Sequence, residues 1–494
     1  MKLPAGYKQL KRNKPWQVSG VISNSLLTTL ALFIVRASNT ICFLIIIWYL
    51  GEKEAGTYAL TLSYALFFAQ LAFWGLDQLL IREISLQKDD IGDIIGFFFL
   101  IRIIITFFCF FLLVFFIFSQ NHQYTTRSCL IIGSTIVISE SLTKFCQTVF
   151  SAYERSKYSV FMSITSGILK LLGIILIIVT GYINVVSFIT VIAVTSTVSL
   201  VVGLFHIFML FDRPKLRNTR YLWDRYYKSS LPFVAISFAT TIEFQADTLL
   251  LSRLLDTNIE IKIGLYNAIT LILYTLLMGT QGLRSALLPG ISRAFIQDQL
   301  ILGALFQQIF KMLLIFTLPI ALTISWFSSN VVHIVYGSKF PQATEGIQII
   351  IWSFVFLTSV LPATTILIIL DKRRLLLIIQ VFSTLINIVL NIILIPRIGV
   401  QGAVWSRLFS SFIGWLFSII SICKVIDLNI NYRVIVKILL TLVAMGIFIE
   451  LMYTYLHIYW ILTALCSIIL YAFFVVKTGC INQNDLHLFR KSAK

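Results

Sequence analysis

The residues of this chain best able to do chemistry are ionisable side chains set inside long apolar stretches. Arg36 lies midway along the run Val21 to Leu50, Glu140 and Lys144 inside Ser128 to Phe150, Lys170 inside Tyr158 to Gly181, and Glu243 and Asp247 inside Leu231 to Leu255. An ionised group at the centre of a bilayer costs roughly 2.5 to 3.5 kcal/mol, so these six together cost on the order of 15 kcal/mol. That is comparable with the stability of a whole protein, so they face protein or water, not lipid.

Arg36 and Lys170 have no opposite charge on their own helices and are candidate cavity cations, suited to an anionic ligand. Arg102 and Arg284 extend this set, although Arg102, about eight residues from the cytoplasmic end of its run, can also snorkel to the interface, as can Arg253. Asp77 and Arg284 lie near helix ends, where gating, structural pairing and ligand contact are all open to them. Glu140 and Lys144 are four residues apart and can neutralise each other on one helix face. Glu243 and Asp247 are like charges on successive turns, an arrangement that calls for a proton or a cation between them. A proton or sodium site is one reading; pairing with Arg36 across the molecule is the other.

The polar residues around these charges keep helical spacing. Ser25, Thr29, Arg36 and Asn39 share one face, as do Ser163, Ser166 and Lys170. Thr240, Glu243 and Asp247 form a third stripe, Asn267, Thr270, Tyr274, Gln281 and Arg284 a fourth, and Gln380, Thr384, Asn387 and Asn391 a fifth. Such stripes can line a cavity. No P-loop, GxGxxG or Ser/His/Asp constellation is present, and the seven cysteines, mostly within apolar segments, include no C-x-x-C pair. No catalytic residue, metal site or cofactor is therefore expected.

The elements that carry these side chains follow from composition. Of 494 residues, 58% are hydrophobic and 12% charged, with a mean hydropathy of +0.92. Soluble domains carry about 25% charged residues, so a water-soluble fold is excluded and an all-α membrane protein is expected. Polar punctuation leaves fourteen runs near the ~20 residues that span a bilayer as a helix. They are Val21 to Leu50, Ala55 to Leu80, Ile91 to Phe118, Ser128 to Phe150, Tyr158 to Gly181, Val185 to Phe211 and Leu231 to Leu255. The remaining seven are Gly264 to Pro289, Gln308 to Tyr336, Thr344 to Leu370, Leu375 to Ile395, Val400 to Val425, Arg433 to Tyr455 and Ile458 to Val476. The basic N-terminal segment before the first run resembles a secretory signal, but the run is long and lacks a small-residue cleavage site, so it reads as a retained span.

With the N-terminus inside, the cytoplasmic side carries 27 Lys and Arg and the other side five, Lys53, Arg127, Lys262, Lys339 and Arg397. This asymmetry predicts that both termini are cytoplasmic. It also accounts for most of the +18 net charge, so no nucleic-acid partner is expected.

Gly56-x-Tyr58 recurs as Gly264-x-Tyr266, 208 residues later, and Gly75-Leu76 as Gly282-Leu283, 207 residues later. Six spans separate the copies, which predicts two parallel six-helix lobes related by an axis along the membrane normal, as in transporters with a central cavity. The expected layout is a cytoplasmic segment 1–20, an N-lobe 21–211, a basic linker 212–230, a C-lobe 231–426, two further helices in 427–479, and a cytoplasmic tail 480–494.

With this layout, the stretches Tyr49-Leu50-Gly51-x4-Gly56-x-Tyr58, Asp247-Thr248-Leu249-Leu250-Leu251 and Ile395-Pro396-x2-Gly399-x2-Gly402-Ala403 resemble the polysaccharide-transporter branch of the multidrug/oligosaccharidyl-lipid/polysaccharide (MOP) exporter superfamily, in particular Wzx-type O-antigen flippases. The resemblance implies a V-shaped, two-lobed transporter of the bacterial inner membrane. It would move an undecaprenyl-pyrophosphate-linked oligosaccharide to the periplasmic leaflet by alternating access, coupled to H+ or Na+, with membrane lipids and polysaccharide polymerase or chain-length machinery as its partners. A drug or metabolite antiporter of the same fold is the alternative. A membrane polymerase or glycosyltransferase fits less well, for want of a large external loop.

Overall fold

The computed structural model describes residues 18–73, 75–85, 91–120, 123–153, 155–210, 234, 238–239, 241–255, 257–297, 299–426, 428 and 432–480; within these, the side chains at 18–32, 36, 78, 82, 85, 91, 281–290, 292–297 and 299–301 are outside the description. Residues 1–17 of the expected N-terminal segment, the linker expected at 212–230 and residues 481–494 of the expected tail lie outside the described residues.

The architecture is helical throughout the described residues. The first half comprises α1 (Val18–Leu50), α2 (Glu52–Phe73), α3 (Leu76–Ser85), α4 (Ile91–Phe118), α5 (Tyr124–Ala152), α6 (Ser156–Thr180) and α7 (Val185–Leu210). The second half begins with a helix over 241–254, here α8. It continues through α9 (Ile259–Gln297), α10 (Gln299–Trp326), α11 (Ser328–Tyr336), α12 (Ala343–Ile350), α13 (Trp352–Ser359), α14 (Leu361–Ile369), α15 (Arg373–Ile398) and α16 (Val400–Ile426). α17 (Tyr432–Glu450) and α18 (Trp460–Lys477) follow.

Thirteen spans among the described residues are long and apolar enough to cross a membrane. The fourteenth expected from sequence, Leu231 to Leu255, is helical over 241–254, and most of its first ten residues lie outside the description. Three expected spans are interrupted, the ninth at Phe327, between α10 and α11. The second breaks at Gly75, whose φ of +60° suits glycine, and the tenth is divided into α12, α13 and α14, the last with Pro362 in its first turn.

The lipid-facing surface is legible from what the helices expose. α4 presents Ile104, Phe108, Phe111 and Phe115, and α6 presents Phe161, Leu172, Ile175 and Val179. In water these would be large apolar patches; in acyl chains they are the expected exterior.

One end of the bundle carries glycine turns, at Gly51, Gly181, Gly337 and Gly399, all with positive φ. At this glycine-turn end the two halves share a single apolar core, in which Tyr58 and Leu60 of α2 are clustered with Ile263, Ile269 and Leu273 of α9 and Tyr336 of α11. Toward the opposite, basic end the packing divides. Leu79, Ile94, Phe98, Phe145, Val149 and Met162 form a core wholly within the first half, while Leu302, Phe306, Leu313, Ile366 and Met445 belong to one wholly within the second. The lobes are thus joined at the glycine-turn end and independently packed away from it.

The joint is made where the sequence repeat meets itself. A Cβ on Gly56 would stand 1.6 Å from the carbonyl oxygen of Glu260, and one on Gly264 would stand 2.7 Å from that of Glu52. Both positions exclude any side chain, which is why α2 and α9 can cross backbone to backbone. Around this crossing, Trp48 Nε1 donates to the Val335 carbonyl at 3.1 Å, Thr126 Oγ1 to Glu260 Oε1 at 3.1 Å, and the Tyr64 and Ser252 hydroxyls bond at 3.0 Å.

Candidate functional site

Among the described residues, each lobe sets a buried cation of one helix against a polar acceptor of another. In the second lobe, Asp247 of α8 is enclosed by α9, α15 and α16 and is only 1% exposed. Arg407 of α16 donates to its Oδ2 through Nε at 2.8 Å and lies within 2.5 Å of it through Nη2. Tyr266 of α9 donates its hydroxyl to the same oxygen, and Asn391 of α15 donates Nδ2 to Oδ1 at 2.7 Å. Arg407 Nη2 also reaches the Glu243 carbonyl at 2.5 Å, and Gln380 donates to the Glu243 carboxylate. The carboxylate of Asp247 therefore has a tethered cation and two neutral donors.

The cationic counterpart that sequence spacing sought between Glu243 and Asp247 is thus built in. It is supplied by Arg407; the side chain of Arg36, the partner in the other reading, lies outside the described residues. Arg407 carried no role in the sequence reading. The signal that could have found it is the run Gly402-Ala403-x2-Ser406-Arg407-x2-Ser410-Ser411, whose small residues let a long side chain pass between helices.

In the first lobe, Lys170 of α6 is 6% exposed and donates Nζ to Oδ1 of Asn39 on α1 at 2.5 Å. Its charge interacts with that of Glu140 on α5. Among the described residues Glu140 has no ion pair within 4 Å; Lys170 is the stronger of its two cationic neighbours and Lys144 the weaker. The internal Glu140–Lys144 pair expected from their spacing is therefore not formed. Lys144 is exposed and Glu140 half-buried, on a segment of α5 whose other sides are packed.

Arg102 belongs to neither cluster. It is 1% exposed, ion-paired with Asp77, bonded through Nη1 to the Ala72 carbonyl at 3.0 Å and set 5.2 Å from the centre of the Phe73 ring. Neither a free cavity cation nor a snorkelling side chain, it ties α4 to the α2–α3 break. Burying an arginine is tolerable only with this full set of partners. Asp77, expected at a gate or in a structural pair, takes the structural role. Arg253 is exposed and stacks 4.1 Å above Phe116 of the other lobe. Arg284 lies on α9 with its side chain outside the described residues.

No group of three or more His, Cys, Asp or Glu able to hold a metal occurs among the described residues.

Residues 21–295 match the family model of polysaccharide biosynthesis proteins, more than half of the chain, and residues 232–393 match the MatE family model. The chain belongs to the polysaccharide biosynthesis protein family. Its fold is that of the MOP superfamily. The lipid II flippase MurJ in an inward closed conformation superposes with a TM-score of 0.72 at 16% identity, covering 91% of this chain and 98% of that one. An inward-facing multidrug resistance MATE family transporter gives 0.63 at 11% identity, covering 82% and 99%. A MOP superfamily transporter from Pyrococcus furiosus, described as having a binding pocket of reverse polarity that suggests a different function, gives 0.56 at 13% identity, covering 87% and 100%. Among curated sequences, the uncharacterized membrane protein MJ1068 of Methanocaldococcus jannaschii is 28% identical over 121 residues, a match spanning 24% of either chain. The multi-pass, all-helical fold expected from composition is the one that these solved structures match over 82% to 91% of this chain.

Proposed function

We propose that this protein moves a lipid-linked oligosaccharide, an undecaprenyl-pyrophosphate-linked repeat unit of a surface polysaccharide, from the cytoplasmic to the opposite leaflet of a bacterial inner membrane. The observation that carries this reading is Lys144, an exposed cation within a membrane span, with Lys170 nearby and no ion-pair partner among the described residues. A cation held at that depth without a counter-ion is suited to a diphosphate. Family membership supplies the glycan. A core shared by the lobes at one end and divided at the other suits alternating access, with the basic end in the cytoplasm. Coupling to a cation gradient belongs to the same proposal.

Deletion in the host tests it. Repeat units should accumulate on the cytoplasmic leaflet and surface polysaccharide should fall; unchanged surface polysaccharide overturns the reading. A drug or metabolite antiporter is favoured by one observation, the half-buried acidic Glu243 in a segment matching the MatE model. It predicts altered drug resistance instead, with polysaccharide unaffected.

A further inference from the structure

α5 and α6 each carry a polar stripe, and the two stripes face each other. On α5, Glu140, Gln147 and Ser151 join Lys144 at helical spacings of four, three and four residues. On α6, Ser159, Ser163, Ser166 and Lys170 repeat the same spacing, on the side opposite the exposed Phe161, Leu172 and Val179. The helices are antiparallel, and two hydrogen bonds fix their register: Gln147 Nε2 donates to Ser163 Oγ at 3.4 Å, and Ser159 Oγ to the Gln147 carbonyl at 3.5 Å. Continued in that register, Ser166 comes level with Lys144 and Lys170 with Glu140. Each of these side chains other than Lys170 is half-buried or exposed, so the facing stripes are not closed by packing.

We propose that Glu140 is a proton-exchange site, reached from the basic end of the bundle through this polar seam between α5 and α6. The proton comes from water in the seam, converts the carboxylate to the neutral acid and returns by the same route. With Glu140 charged, its negative charge offsets Lys170 and Lys144. With Glu140 neutral, both ammonium groups are left without it and can take up an anion, so proton and anion binding favour each other, reciprocally. That last step rests on the transport reading above; the exchange site itself does not.

Among the described residues, few other ionisable groups surround the site. From α1 the described side chains bring Cys42, beyond Lys170 and bonded to Tyr58 of α2 at 3.4 Å; the side chain of Arg36 on the same helix lies outside the description. α4 brings Arg102, committed to Asp77 of α3. α7 brings His206, whose ring lies 5.2 Å from that of Tyr158 at the basic end, tilted by 49°. Sodium is a poor occupant, because two lysines would repel it.

Two measurements on the full chain test this, neither needing the substrate. In inside-out vesicles, Ser166→Cys should gain labelling by a membrane-impermeant thiol reagent over the native cysteines. Infrared difference spectra during a pH titration of the protein in nanodiscs should show a carboxylic C=O band on acidification that vanishes in Glu140→Gln, and that appears at least ten-fold more slowly in Gln147→Leu after a pH jump. Absence of added labelling overturns the seam. A band that survives Glu140→Gln, or no band at all, overturns the exchange site. If both measurements succeed while deletion leaves surface polysaccharide unchanged, the proton site stands and only the substrate assignment fails.

Discussion

The two lobes use the same position for opposite ends. Asn39 and Asp247 are 208 residues apart, the interval that separates Gly56 from Gly264 and Tyr58 from Tyr266, and each receives a cation from another helix of its own lobe. In the second lobe the acceptor is a carboxylate, so Arg407 is neutralised and the cluster closes on itself. In the first the acceptor is a neutral amide, and among the described carboxylates it is Glu140, beyond ion-pair distance, whose charge offsets that of Lys170. The tyrosines follow suit, Tyr266 serving the carboxylate and Tyr58 the thiol of Cys42. One residue type at equivalent sites separates a cation neutralised by its acceptor from one that meets only a neutral amide there.

The largest expected effect lies on the closed side. Arg407→Met leaves Asp247 buried without its counter-ion and should destabilise the protein by about 3 to 5 kcal/mol, read as a drop in the thermal midpoint in detergent. Arg407→Met with Asp247→Asn should recover most of the loss; if it does not, the cluster is not held by charge compensation. Next, Gly56→Ala forces α2 and α9 apart and should cost about 1 to 3 kcal/mol, the range for overpacking. The same change at Gly279, where a Cβ meets nothing within 4 Å, should cost nothing measurable on the same melting curve. Lys170→Ala gives up one hydrogen bond to a charged group, about 1.5 to 3 kcal/mol, yet should abolish surface polysaccharide export at normal protein levels, as should Arg36→Ala; a wild-type phenotype would return these residues to packing. Smallest in stability is Lys144→Ala, near zero for an exposed side chain. It should still lower export several-fold, with Lys144→Arg restoring it.

Much of this was legible in the sequence because a bilayer makes two signals loud. Apolar length fixes the helices, and in-span charges such as Lys170 and Asp247 mark the sites that need partners. What spacing could not supply was the identity of those partners. Glu140 and Lys144 sit four apart and invite pairing, but the larger cationic influence on Glu140 comes from Lys170, across the helix interface. Asp247 finds a residue 160 positions away, and nothing local in either segment encodes that meeting. Arg102 was misread for the same reason: its depth in α4 was visible, whereas the break at Gly75 that brings Asp77 beneath it is a tertiary fact.

The crossing of α2 and α9 is reciprocal. Gly56 touches Glu260 while Gly264 touches Glu52, and 208 residues separate both the two glycines and the two glutamates. This is the reciprocal pattern of an isologous interface, in which residue i of one copy meets j of the other and j meets i. The seam between the two halves thus has the self-complementary form of a contact between two like subunits, with both faces supplied by one polypeptide.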